Sequence, residues 1–179
     1  MNLREAVRED LPGINEIYNE AVRNTTANWS CAERSLREAG EWFAQYGAPN
    51  RPLIVAEEDA RVVGYACLSA FREKDAYWPV AENSVYVHLD YRGRGIGTRL
   101  MERVIALGRE AGLRVITAWV DADNDESIVF HERLGFERVG IMRNVGEKFG
   151  QKLSVVILDL DLTKGGHDDR YARRGGGAR

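Results

Sequence analysis

Residues Ser84–Leu107, SVYVHLDYRGRGIGTRLMERVIAL, decide how this chain is read. They predict a strand, then a turn rich in arginine and glycine at Arg92-Gly93-Arg94-Gly95-Ile96-Gly97, then an amphipathic helix starting near Gly97. Glycines let a backbone turn tightly and come close to a ligand with no Cβ in the way. The first amide N–H groups of the helix have no partner within it and point at the turn. Those donors, the positive end of the helix dipole and two arginines together form a seat for a diphosphate. The expected ligand is therefore a phosphorylated cofactor.

Two common phosphate loops do not fit. A Walker loop needs Lys-Ser/Thr after its last glycine, and no Lys follows Gly97. A dinucleotide fingerprint starting from Gly93 and Gly95 would place its third glycine where Thr98 stands. The order Arg92-x-x-Gly95-x-Gly97 instead resembles the acetyl-CoA pyrophosphate loop of the GNAT superfamily of N-acetyltransferases. A second block, Asn124-Asp125-Glu126-Ser127 through His131 to Gly135-Phe136, resembles the same family's Asn-x-x-(small)…Gly-Phe segment. By itself it reads as an acidic loop, a short helix and a glycine stop. His131-Glu132 does not extend to a zinc helix, because H-E-x-x-H fails at Gly135. The run Ala76–His88, with Val145–Gly150 downstream, is similar to the phosphinothricin/methionine sulfoximine acetyltransferase branch. The resemblance spans Leu3 to about Leu162.

Around these motifs the chain reads as one domain, residues 1–164, followed by a Gly/Arg-rich tail at 165–179 whose composition suits disorder. The net charge is −3, and the tail's four Arg and two Asp leave the body at −5. An acidic body with one basic loop suits a small anionic cofactor better than nucleic acid. The two cysteines, Cys31 and Cys67, have neither metal-ligand spacing nor a secreted disulfide pattern, and no metal is expected. With no signal pattern and no apolar run near the roughly 20 residues of a membrane span, the expected location is cytoplasmic.

Strands are predicted at Asn2–Val7, Leu53–Ala56, Val62–Ala70, Glu82–Leu89, Leu113–Val120, Phe136–Met142 and Lys152–Leu162. Helices are predicted after Asp10, read as a cap with Pro12 in the first turn, and after the capping box Ser35-x-x-Glu38. Two more run from Gly97 to Ala111 and from Ser127 to Leu134. Alternating strands and helices give an α/β fold with a mixed sheet. The resemblance implies the GNAT fold: helices on both faces and a parallel pair, here Glu82–Leu89 and Leu113–Val120, splayed to admit the pantetheine arm.

The resemblance also implies roles. Acetyl-CoA is the donor, seated by Val87, Leu89 and the loop Arg92, Gly93, Arg94, Gly95, Ile96, Gly97 and Thr98. The Val87 N–H is the expected oxyanion donor, and Asn124 and Ser127 meet the pantetheine arm. Glu82 stands where the branch carries its catalytic Glu. A carboxylate beside an ammonium can take its proton directly or through one water. His131 is the second titratable candidate, as acid for the thiolate or as a partner in the base role. Arg72, Lys74 and Tyr77 crowd one loop beside Glu82, and two cations next to a base suit an amino acid's anionic groups. Lys74 stands where Arg is common, which weakens a bidentate clamp. Trp29 is expected over the substrate, and Lys148 at the site's border near a dimer interface. His88 and His167 read as structural or surface residues.

The expected activity is acetylation of the α-amine of a small amino-acid-like acceptor such as phosphinothricin or methionine sulfoximine, by a homodimer that binds neither nucleic acid nor membrane. An acetyltransferase of protein N-termini, lysines or polyamines is the enzymatic alternative. A CoA-binding sensor without turnover is the alternative from another class.

Overall fold

The computed structural model describes residues 1–164. The tail at 165–179, His167 included, lies outside the described residues. Seven strands, β1 (Asn2–Glu5), β2 (Leu53–Glu58), β3 (Arg61–Ala70), β4 (Val80–Val87), β5 (Val115–Asp121), β6 (Glu137–Lys148) and β7 (Gln151–Asp161), form one sheet in the order β1-β2-β3-β4-β5-β7-β6. Every neighbouring pair is antiparallel except β4–β5, so the mixed sheet expected from the sequence is present. Four helices, α1 (Leu11–Asn24), α2 (Leu36–Phe43), α3 (Ile96–Glu110) and α4 (Asp125–Arg133), cover it.

Strand alternation sends successive side chains to opposite faces, and here both faces are buried. On one, Leu53 and Val55 of β2 and Tyr65 and Cys67 of β3 meet Ile14 and Ile17 of α1, with Trp42 and Phe43 of α2 packed alongside. On the other, Ile54, Ala56, Ala66 and Leu68 meet Leu100, Met101 and Val104 of α3 and Ile128 of α4. Double burial explains why β2 and β3 read as near-continuous apolar runs.

The capping box at Ser35/Glu38 forms as expected, with the Ser35 side chain accepting from Glu38 N–H. Asp10 does not cap α1 with its side chain. Its carboxylate accepts two hydrogen bonds from Arg4, at 2.7 and 2.8 Å, and one from Val7 N–H at 2.8 Å. A charge-assisted fork outcompetes a single amide, and the pair ties β1 to the start of α1. Strand β6 runs six residues beyond the expected end at Met142, to Lys148. The polar stretch after Met142 breaks alternation, but a register shift between Met142 and Gly146, with Asn144 at positive φ, absorbs it. Phe149 and Gly150, both at positive φ, then make the two-residue turn to β7.

Candidate active site

The parallel ladder between β4 and β5 is only three rungs long: Val80↔Val115, Ala81↔Ile116 and Glu82↔Thr117. Beyond Glu82 the strands part. β4 continues to Val87 on the β3 ladder, and β5 continues to Asp121 on the β7 ladder. The edges that face each other across this fork carry no shared ladder, so an extended ligand with amides of its own can pair there as an added strand. A cavity of about 690 Å³ occupies the fork.

One end of the cavity is the glycine loop. Gly93 and Gly95 sit at φ of 75° and 74°, in the left-handed region that glycine enters without a Cβ clash. Gly95 is the N-cap of α3, which begins at Ile96, one residue before the expected Gly97. Val87, Arg92, Gly93, Gly95, Ile96, Gly97 and Thr98 line the cavity. Leu89 and Arg94 do not: Leu89 begins a short 3-10 turn, and Arg94 lies over the Tyr91 ring. Arg92 donates to Val87 O at 3.1 Å and Glu20 Oε2 at 2.9 Å. The loop thus sets helix amides and the Arg92 guanidinium at the cavity, donors that suit a diphosphate, while the second expected guanidinium, Arg94, is held outside it by Tyr91 and Asp90 O. Asn124 and Ser127 also line the cavity, and Asn124 Oδ1 accepts from Ser127 N–H at 3.0 Å, capping α4.

Glu82 sits at the last parallel rung, half-buried and lining the cavity. Burial pushes its carboxyl above the usual range, and the Arg72 charge offsets part of that rise. His131, 4% exposed, lines the same cavity from α4. Its Nδ1 lies 2.8 Å from Ser127 O and its Nε2 3.2 Å from Asn83 Oδ1. Burial lowers its proton affinity, and the Ser127 carbonyl partly restores it.

The residues expected at the acceptor are more scattered. Arg72 is exposed at the mouth, with its guanidinium 4.5 Å from the Phe71 ring and 5.8 Å from the Trp119 ring. Tyr77 packs edge-on to Phe71 at 5.6 Å, and Lys74 is exposed on the same loop. None of the three lines the cavity itself. Trp29 does not line the cavity and packs so tightly on Gly146 that a Cβ there would lie 2.7 Å from its ring. Lys148 differs most from expectation. Only 4% exposed, it donates to Thr25 O at 2.9 Å and Asn28 O at 2.5 Å. Its charge is spent on the loop after α1, and Thr25, Thr26 and Ala27 of that loop line the cavity.

Among the wall residues that carried no expectation from the sequence are Asn83, Tyr86, Trp119 and Asp121. The Trp119 indole Nε1 is buried without a hydrogen-bond partner. Strand alternation past Glu82 was the one signal pointing to any of them.

Comparison with known proteins agrees with this geometry. Residues 14–136 match the model of the acetyltransferase (GNAT) family. An L-methionine sulfoximine/L-methionine sulfone acetyltransferase from Pseudomonas aeruginosa is 40% identical over 162 residues, covering 90% of this chain and 94% of that protein. A phosphinothricin N-acetyltransferase from Alcaligenes faecalis is 33% identical, covering 88% of this chain and 80% of that protein. The solved structure of a phosphinothricin acetyltransferase from Sinorhizobium meliloti, in complex with acetyl-CoA, superposes with a TM-score of 0.86 at 34% identity, covering 89% of this chain and 87% of that one. The forked sheet, the glycine loop and these similarities have one reading: the chain belongs to the GNAT family of acetyltransferases.

Proposed function

We propose that this chain transfers the acetyl group of acetyl-CoA to the α-amine of a small amino-acid-like acceptor of the methionine sulfoximine and phosphinothricin kind. The observation that carries this reading is Glu82, a half-buried carboxylate at the root of the fork with a cation beside it. In this reading Glu82 takes the proton of the acceptor ammonium. Arg72, with Lys74 further along the loop, draws the acceptor's anionic groups to the mouth. Strand backbone at Val87 faces the thioester oxygen, the amides after Gly95 take the diphosphate, and His131 supplies the proton that the departing sulfur takes. The names of the relatives from Pseudomonas and Alcaligenes support this acceptor class. The loop cations disfavour a polyamine.

We further read the molecule as a cytoplasmic homodimer with no nucleic-acid or membrane partner. The acidic body disfavours a polyanionic partner; among the described residues no helix is long and apolar enough to cross a membrane. Thiol release from acetyl-CoA across a panel of amino acids, their sulfoximine and phosphinate analogues, peptides and polyamines tests the acceptor class. The glutamate-like analogues should turn over fastest. Faster turnover of a polyamine or peptide would overturn the small-acceptor reading, and cofactor binding with no turnover of any amine would favour a sensor.

A further inference from the structure

At the root of the fork three side-chain contacts form one chain. One residue past the last parallel rung, the Asn83 side chain, 8% exposed, reaches across and donates from Nδ2 to Thr117 O at 2.9 Å. The side-chain amide takes the place of the next rung. A carbonyl oxygen only accepts, so this bond fixes which way the amide faces. Its oxygen end is then the atom 3.2 Å from His131 Nε2. The other ring nitrogen, Nδ1, lies 2.8 Å from Ser127 O, which also only accepts. Both imidazole nitrogens therefore face acceptors. A neutral ring carries one N–H and sets a lone pair against an oxygen on its other side, whereas the imidazolium satisfies both contacts. Turning the Asn83 amide over would suit a neutral ring but would set its oxygen against Thr117 O.

We propose that Asn83 is a positioning residue for His131: pinned by Thr117, it offers Nε2 only an oxygen and so favours the doubly protonated ring at the fork. Burial of the imidazole beside the rings of Phe130 and Phe136, each nearly perpendicular to it with centroids 5.2 Å apart, opposes the charge. Glu82 and Tyr86 on β4, Asp121 on β5, Asp123 in the following loop and Glu126 on α4 line the same cavity. None of them hydrogen-bonds the ring. Asn83 Oδ1 and Ser127 O are thus the local control of its proton, and Asn83 is the one of the two that substitution can remove.

The inference deepens the proton role proposed above for His131, and its test can fail separately from that role. Histidine ring titrations are followed by NMR in the full-length chain, labelled with 15N-histidine and free of acetyl-CoA, with His131→Gln identifying the signal. Asn83→Leu should lower the His131 midpoint by about one to two pH units, the size of one charge-assisted hydrogen bond. Asn83→Asp, which keeps an acceptor and adds charge, should raise it, and this variant carries the test if Asn83→Leu does not fold. An unchanged midpoint in Asn83→Leu, or one in Asn83→Asp at or below wild type, overturns the inference. In turnover, loss of the acid should move the high-pH limb of kcat downward in Asn83→Leu. A shifted titration with an unshifted limb sustains the Asn83 inference and removes the proton role from His131.

Discussion

A carboxylate that loses water on folding gains proton affinity, and Glu82 is placed where that gain matters. Glu82→Gln keeps the shape of the side chain and removes its basicity. The variant should bind acetyl-CoA as wild type does and lose about 10²–10⁴-fold in kcat. Wild-type turnover at neutral pH would assign the base elsewhere. In the proposed base role the working form of Glu82 is the ionised one, so activity should rise as pH passes upward through its raised value. Arg72 lowers that value, so Arg72→Ala should move this limb to higher pH. The same variant should raise KM for a sulfoximine or phosphinate acceptor about ten- to a hundred-fold, one charge-assisted hydrogen bond, and spare KM for acetyl-CoA. An equal loss on a decarboxylated analogue would mean that Arg72 shapes its loop without holding substrate. Glu82 and Arg72 were legible because each sits in a continuous run of telling residues. Asn83 and the partners of Lys148 were not, since the contacts run 34 to 123 positions along the sequence. Lys148 was expected at the site's border, but only the fold shows its ammonium enclosed by the loop after α1.

Among the elements, the turn into α3 is where sequence and structure agree most closely. Arg92–Gly97 read as a tight glycine turn opening a helix, and the structure has two glycines at positive φ with helix amides beyond them. A Cβ at Gly95 would meet no protein atom within 4 Å, so packing does not demand this glycine. Its φ does, as would a ligand pressed against the backbone. Gly95→Val should cost about 1–2 kcal/mol of stability through left-handed strain. It should also abolish the rise in melting temperature that acetyl-CoA gives the wild type, a stabilisation of about 2.7 kcal/mol at a hundredfold excess over Kd. A cofactor-induced shift equal to wild type would move the diphosphate away from this loop. Elsewhere long-range partners decided the outcome. Arg4 drew Asp10 away from a helix cap, and β7 resumed its ladder at Gly146–Lys148, past a register shift that the sequence pattern did not predict. The splayed parallel pair was expected from the resemblance, but the three-rung length of its ladder was not legible, because strand length shows in a sequence and the register at which two strands part does not.

At the scale of the molecule, the forked sheet leaves one side unbalanced. β6 is an edge strand twelve residues long, paired among the described residues only with β7. It carries Val139, 61% exposed, with Ile141, Met142 and Val145 also exposed, and Phe149 beside them in the turn, 58% exposed. A long apolar edge is an aggregation hazard unless something covers it. A second copy of the chain covers it most economically, since a two-fold axis sets the same patch against itself. Lys148 closes this strand and holds a loop that lines the cavity, so an interface on β6 would brace the candidate site as well as hide apolar surface. Light scattering at micromolar concentration should therefore give twice the chain mass. Ile141→Lys, which sets two like charges across the axis, should shift the mass toward one chain and raise KM for the acceptor more than for acetyl-CoA. A wild-type monomer would end the homodimer reading. A dimer that Ile141→Lys leaves intact would place the interface elsewhere and leave the exposed edge of β6 to a different partner.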